Sequence, residues 1–274
     1  MMNGFKTFLL MVALMALLMG AGFLIGGYQG VTIALLIGLA INFISYWFSD
    51  KIVLSMYRAH RVEINSHPQL YRTIEKLAQR AGLPMPAIYI IPQQQPNAFA
   101  TGRNPQHAAV AVTTGIMETL SEQELSGVLG HELAHIKNRD ILISTTIAAA
   151  IAAAISYLGY MGLFGGGRHQ RRDNAMFGLL LIILGPLAAM LVQMAISRTR
   201  EYKADRDGAE ICGNPEYLAS GLGRISGIIK QVPMDANPAT AHMFIVNPLR
   251  GGGLASLFST HPPIEKRIEK LRSM

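Results

Sequence analysis

Charge is scarce in this chain. Only 15% of its 274 residues are charged, against about 25% in an ordinary soluble domain. Between Thr7 and Ser49 there is no charged residue at all. A mean hydropathy of +0.29 is correspondingly high for a soluble enzyme. Cysteine is scarcer still. Cys212 stands alone, so no intrachain disulfide can form and no Cys-x-x-Cys exists to hold a metal or run redox chemistry. A small buried residue is the reading left for it. Basic stretches interleaved with aromatics are also missing. The net charge of +7 and the isoelectric point near 9.6 therefore do not point to nucleic acid. The basic residues gather where apolar runs end, which fits attraction to anionic headgroups. Internal repeats and low-complexity segments are absent, and Gly165–Gly167 and Gly251–Gly253 read as loops.

What the chain has instead is four long apolar runs. Thr7–Ser49 is long enough for two membrane spans of about 20 residues each, and Gly26-Gly27-Tyr28-Gln29-Gly30 is the natural break between them. A cleaved signal peptide fits poorly, because the apolar core is too long and a second span follows at once. The third run covers Ile141 to about Phe164 and the fourth about Phe177 to Ser197. The third is rich in alanine, so a buried core helix is its alternative. With four spans, Lys6, Lys51, Arg58, Arg61, Lys137, Arg139, Arg198, Arg200 and Lys203 fall on one side, and Arg168, Arg171 and Arg172 on the other. The excess places the first side in the cytoplasm. The three dissenting arginines leave open whether the second hairpin crosses fully.

The chain thus divides into a first hairpin (1–49), a polar part (50–140), a second hairpin (141–197) and a polar tail (198–274). In the first polar part, His67-Pro68 opens a helix carrying Leu70, Ile74, Leu77 and Ala78, and Gly82-Leu83-Pro84 ends it. Ala87–Ile91, Asn97–Thr101 and Ala108–Thr113 read as short strands separated by Pro, Gln and Asn. Beyond the fourth span, a helix is expected through Glu201 and Asp205 to Ala209, and another from Asn214-Pro215. Val232–Leu257 reads as irregular, and Ser259–Pro263 opens a terminal helix.

The chemistry resides in His131-Glu132-Leu133-Ala134-His135. Composition alone yields about 0.01 such H-E-x-x-H motifs in a chain of this kind. On a helix, residues four apart share a face, so two imidazoles meet one ion. Glu132 then stands beside the metal, where a carboxylate can take a proton from water. A helix is what the flanks specify. Ser121 and Glu124 form a capping box, and Leu125, Val128, Leu129, Leu133 and Ile136 supply an apolar stripe.

Zinc hydrolases of this design use three protein ligands, and mixed His and carboxylate ligation makes one zinc per chain the default. The third ligand is to be sought among His107, Asp140, His169, Glu201, Asp205, His242 and His261. If 141–197 is a transmembrane hairpin, its two ends return to one membrane face. His135 stands about 9 Å of helix before it and Glu201 about 6 Å after it, so Glu201 is favoured. Asp205, one turn beyond, can accept the second ring proton of a ligand histidine. The competing reading of this pair is a solvated helix face, since Lys203, Arg206 and Asp207 lie among them.

Taken in order, His131-Glu132-x-x-His135, Glu201-x-x-x-Asp205, Asn97-Ala98-Phe99-Ala100-Thr101-Gly102 and His261-Pro262-Pro263 resemble the HtpX-type membrane zinc metalloproteases, relatives of the CAAX prenyl endoproteases. The resemblance spans essentially the whole chain. It implies a mainly α integral membrane protein with a small β-sheet, four transmembrane helices and a gluzincin-like metalloprotease domain. The active site would face the cytoplasm from a bacterial inner membrane, and the substrates would be damaged or misassembled membrane proteins met during envelope stress. By matching motifs, His131, His135 and Glu201 would bind zinc and Glu132 would act as general base. Asn97–Thr101 would pair with substrate backbone, and His261 would donate to the oxyanion. Blander readings stand beside two of these. Residues 97–101 also read as a core strand with Phe99 buried, and His261 as a cap at a helix start.

A rival class is a membrane scaffold with a structural zinc, but such sites are usually closed by four Cys or His ligands. A CAAX-type substrate needs a larger membrane chamber than four spans build. A transporter lacks ionisable residues in Thr7–Ser49 and Ile141–Gly167. No feature of the sequence bears on oligomeric state.

Overall fold

The computed structural model describes residues 2–141, 198–229, 244–245 and 262–274. Beyond Ile141, the expected second hairpin lies outside them, as do His169, His242 and His261. Helix α1 (Met2–Met56) opens the chain as one run of helical hydrogen bonding, yet it is folded double. Asn42 Nδ2 donates to the Met11 carbonyl at 3.4 Å, although 31 residues of straight helix would separate them by about 46 Å. The reversal falls at Gly27, whose φ of +58° suits glycine, inside the expected Gly26–Gly30 break. The limbs then touch backbone to backbone: a Cβ on Gly22 would stand 2.4 Å from the Gly30 carbonyl oxygen. The outward face carries Phe8, Phe23, Ile33, Leu36, Leu39 and Phe43, all about half or more exposed. Such a belt is expected against lipid rather than water. Among the described residues, one stretch, Gly27–Met56, is long and apolar enough to cross a membrane.

A four-stranded mixed sheet follows, with β1 (His60–Arg61), β2 (Ala87–Ile91), β3 (Ala98–Gly102) and β4 (Ala108–Thr113) in the order β1-β2-β4-β3. β2 and β4 run parallel, and the two outer pairs are antiparallel. The sheet has one strand more than the pattern suggested, because a two-residue strand carries no alternation to read. β3 also sits one residue later than expected. β4 is buried throughout, and its alternation sorts its side chains between two cores. Ala109 and Ala111 meet Val53, Leu54 and Tyr57 from the end of α1. Ala108, Val110 and Val112 face the helical side. The end of α1, past residue 49, is therefore part of the sheet's packing.

On the helical side lie α2 (Pro68–Ala81), α3 (Thr114–Thr119), α4 (Glu122–Lys137), α5 (Arg198–Cys212), α6 (Pro215–Ile229) and α7 (Ile264–Arg272). α2 buries Leu70, Ile74, Leu77, Ala78 and Ala81 and stops at Gly82 in a left-handed cap. α4 starts with the expected capping box, extended by Ser220 of α6, whose hydroxyl donates to Glu124 Oε1 at 2.6 Å. Burial would raise the Glu124 carboxyl, but Ser220, Ser121 and Arg224 hold it below its usual range. Glycine decides how close α5 comes to α4. A Cβ on Gly208 would lie 2.7 Å from the backbone of His131, so no larger residue permits this approach.

Glu124 thus ties the start of α4 to α6. Replacing it with Ala removes an N-cap partner and a charged hydrogen bond, with an expected loss of about 2 kcal/mol. Thermal unfolding in detergent measures it, and zinc stoichiometry should not change.

Candidate metal centre

The approach of α5 to α4 assembles a compact cluster. His131 and His135, one turn apart on α4, present their Nε2 atoms to each other at 3.2 Å. Glu201, in the first turn of α5, completes the triangle, with Oε2 3.7 Å from His131 Nε2 and Oε1 3.6 Å from His135 Nε2. All three residues offer a ligand atom within one 4.8 Å group. Corners of a tetrahedral zinc site lie about 3.3–3.5 Å apart, given metal–ligand bonds of about 2.0–2.2 Å. The observed triangle fits that size closely. Two imidazoles and one carboxylate grouped this closely are the donor set that suits a zinc ion.

Electrostatics point the same way. Burial alone would lower the pKa of His135. The carboxylates of Glu201, Asp140 and Glu132 outweigh it and hold the ring up to about 9. Positive charge is what this site lacks and attracts.

Around the triangle stands a layer of supporting groups. Asp205 Oδ1 lies 3.0 Å from His131 Nδ1. The distance is that of a hydrogen bond while the angle is not ideal, for the nitrogen meets no partner on strict geometry. The contact nonetheless directs the Nδ1 proton toward Asp205 and leaves Nε2 facing the cluster. Asp140 Oδ2 is 3.5 Å from His135 Nδ1, a longer and weaker contact. Glu132, 6% exposed, accepts a hydrogen bond on Oε2 from the Ala100 N–H of β3 at 2.9 Å.

Arg267 was not foreseen. It lies on α7, is fully buried, and grips Asp205 with two bonds, Nε to Oδ2 at 2.9 Å and Nη2 to Oδ1 at 2.6 Å. Nη2 also comes within 3.4 Å of His131 Nε2. Burial would raise the Asp205 carboxyl, but the Arg267 guanidinium and the His131 ring hold it far below its usual range. A signal existed in the sequence: Ile264, Arg267 and Leu271 fall at helical spacing, which puts the arginine in line with two apolar residues.

The five residues 97–101 lie along this site. Asn97 exchanges hydrogen bonds with Thr113 on the β4 side, and its side-chain oxygen accepts from the Ile245 N–H at 3.1 Å. Phe99 is buried with Tyr57 and Phe244, so the core reading holds for its side chain. The backbone is a separate matter. β3 ends the sheet, and Ala100 donates away from β4, to Glu132. By the two-residue period of an antiparallel ladder, Ala98, Ala100 and Gly102 direct their backbone groups to the outer edge, which no described strand pairs. Ala98, Ala100 and Thr101 are buried, each at 7% exposure or less. His107 turns to Asn104 and takes no part. Cys212 is buried, as expected.

Comparison with known proteins gives a family match, two curated relatives and a structural neighbour. The model of Peptidase family M48 matches residues 65–274. A Protease HtpX homolog of Ralstonia pickettii (strain 12J) is 56% identical over 279 residues, covering 100% of this chain and 97% of that protein. The Protease HtpX homolog of Thermodesulfovibrio yellowstonii is also 56% identical, over 100% of this chain and 99% of its own length. Among solved structures, the crystal structure of S. mikatae Ste24p shares the fold with a TM-score of 0.51 at 18% identity, over 96% of this chain. This chain spans 62% of that structure's length.

Two outcomes follow from the geometry. Arg267→Met leaves the Asp205 carboxylate buried and unpaired, with an expected cost of about 3–5 kcal/mol and a loss of zinc affinity of about 10–100-fold; thermal unfolding and chelator competition read the two. The His135 pKa, raised from 6.5 to about 9, also fixes a pH dependence. In the metal-free protein its stabilisation is fully present below pH 6.5 and is lost as pH rises through about 9. Because a ligand imidazole must be neutral, zinc affinity should climb about tenfold per pH unit up to about pH 9 and level off above it. Chelator competition at stepped pH measures the slope, and a flat profile would contradict it.

Proposed function

The chain belongs to peptidase family M48, and on that premise we propose that it hydrolyses peptide bonds of unfolded or misassembled membrane proteins, as part of membrane-protein quality control under stress. Membership makes it a membrane-bound zinc metalloprotease that acts on proteins. The finer reading assigns roles. His131, His135 and Glu201 hold zinc, Glu132 is the general base, and Asp205 with Arg267 orients His131. His261, outside the described residues, is the candidate donor to the oxyanion. The chain crosses a bacterial inner membrane four times and keeps this site on the cytoplasmic side.

The observation that supports this reading is the Glu132–Ala100 hydrogen bond, which joins the carboxylate next to His131 to a strand edge that no described strand pairs. Zinc, when bound, supplies a positive charge that acidifies water and polarises a carbonyl. Glu132 takes a proton from the attacking water as its oxygen bonds to the peptide carbon. It returns that proton to the departing amine nitrogen as the C–N bond breaks, so nothing is consumed but water. The outer edge of β3 receives the substrate as an added strand, through the backbone of Ala98 and the carbonyl of Ala100, whose N–H is engaged by Glu132. Main-chain pairing depends little on side chains, which suits an enzyme that must accept many unfolded segments. A structural zinc site is disfavoured because a carboxylate, and no fourth Cys or His, completes the described set.

Glu132→Gln separates chemistry from binding. The variant should keep one zinc per chain and the wild-type melting profile, while cleavage of an unfolded protein in detergent falls by about 10²–10⁴-fold or more. Near-normal turnover would overturn the assignment.

A further inference from the structure

Below the sheet, α1 carries Phe43, Tyr46, Trp47 and Phe48, all exposed. Two cations sit on this ring of aromatics. Lys51 Nζ is 5.6 Å from the Phe48 centroid, and the Arg103 guanidinium is 4.7 Å from that of Trp47. Arg103 also donates from Nη1 to the Trp47 carbonyl at 3.4 Å. Arg103 directly follows β3, and Gly102, with φ +128°, is the residue that lets the chain turn out of the strand toward α1. Trp47 is therefore joined to the strand whose Ala100 holds Glu132.

We propose that Trp47, Phe48, Lys51 and Arg103 form a collar that binds phospholipid headgroups and ties β3 to the bilayer interface, so that cleavage is confined to peptide bonds close to where a substrate leaves the membrane. The inference rests on the protease reading above. Three observations select lipid as the occupant. The collar continues the exposed apolar face of the membrane-length stretch Gly27–Met56. Its aromatic and cationic composition is that of an interfacial belt. Its surroundings are basic, with Lys51, Arg58 and Arg61 against one acid, Asp50, between Thr7 and Arg61. Geometry then sets a ruler. From Trp47 to Val53, where α1 meets the sheet, the helix rises about 9 Å. From Arg103 to Ala100 the chain runs about 10 Å. A segment leaving the bilayer beside Trp47 thus needs about three to six extended residues to reach Ala100.

Trp47 is the only tryptophan, so its fluorescence reports the collar alone. The full chain carrying Glu132→Gln, which prevents self-digestion, is reconstituted in phosphatidylethanolamine–phosphatidylglycerol vesicles. Lipids brominated near the headgroup should quench Trp47 more than lipids brominated deep in the acyl chain. In parallel, the enzyme with Glu132 intact is given a single-span substrate with an unfolded tail, and cut sites are mapped by mass spectrometry. Cuts should cluster near the span. Arg103→Gln should lower cleavage there by about threefold or more and spread the cuts outward. Arg103→Lys should restore part of the clustering, and digestion of a soluble unfolded protein should not change in either variant. Absence of shallow quenching, or an unchanged cut map in Arg103→Gln, overturns the collar. Should the wild type cleave neither substrate, the protease reading fails instead, and quenching alone decides whether the collar binds lipid.

Discussion

Charge balance at one buried point governs this structure. Glu132, Glu201 and Asp205 are each 6% exposed or less, and Arg267 is fully buried among them. Three carboxylates and one guanidinium leave two negative charges uncompensated if both histidines are neutral. A divalent cation cancels that excess. Isolated charges in a low-dielectric interior cost several kcal/mol each, so the metal acts on the fold as well as on the substrate. The raised pKa of His135 is the metal-free protein's own response to the same imbalance, since a proton on the ring replaces part of the missing charge.

Everything that brings these charges together depends on close backbone contact. Gly208 lets α5 lie against His131, which sets Glu201 opposite the two imidazoles. α7 closes the arrangement from outside by inserting Arg267 onto Asp205. The ion pair therefore joins the two ends of the polar tail to the H-E-x-x-H helix. Weakening it loosens the ligand histidine and the terminal helix at once, which explains why the pair is almost completely buried rather than placed at the rim. On the other side, the end of α1 packs directly beneath β3 and β4. The end of α1 and the sheet share a core there, which ties the apolar helix to the strand beside Glu132.

The sequence made some of this plain and hid the rest for physical reasons. The capping box, the apolar stripe of α4 and the glycine break of the hairpin were legible because each is local: the signal lies within a few residues of the structure it specifies. His131, His135 and Glu201 were reachable because the H-E-x-x-H spacing and the ends of an apolar run constrain where the third ligand stands. Arg267 was hidden. In Ile264-Glu265-Lys266-Arg267-Ile268-Glu269-Lys270 a charged residue reads as solvated, and only the distant Asp205 makes its burial tolerable. β1 was hidden by length, with two residues and no alternation. Phe99 is buried in the core, as the blander reading expected. A strand's side chains stand perpendicular to the plane in which its hydrogen bonds lie, so that burial does not conflict with the proposed substrate role of the backbone.

That geometry has a consequence for how the site discriminates. The N–H of Ala100 on the outer strand β3 donates to Glu132. On the roles proposed for β3 and Glu132, recognition and proton transfer would meet at one backbone atom. A peptide paired with β3 would reach Glu132 in a set register through main-chain bonds, so on this reading selectivity would follow which segments are extended and within reach more than which residues they carry. Folded substrates are excluded because their backbone hydrogen bonds are already made. With the lipid collar proposed above, reach would be counted from the bilayer, and unfolded chain close to the membrane is what such a site would meet first.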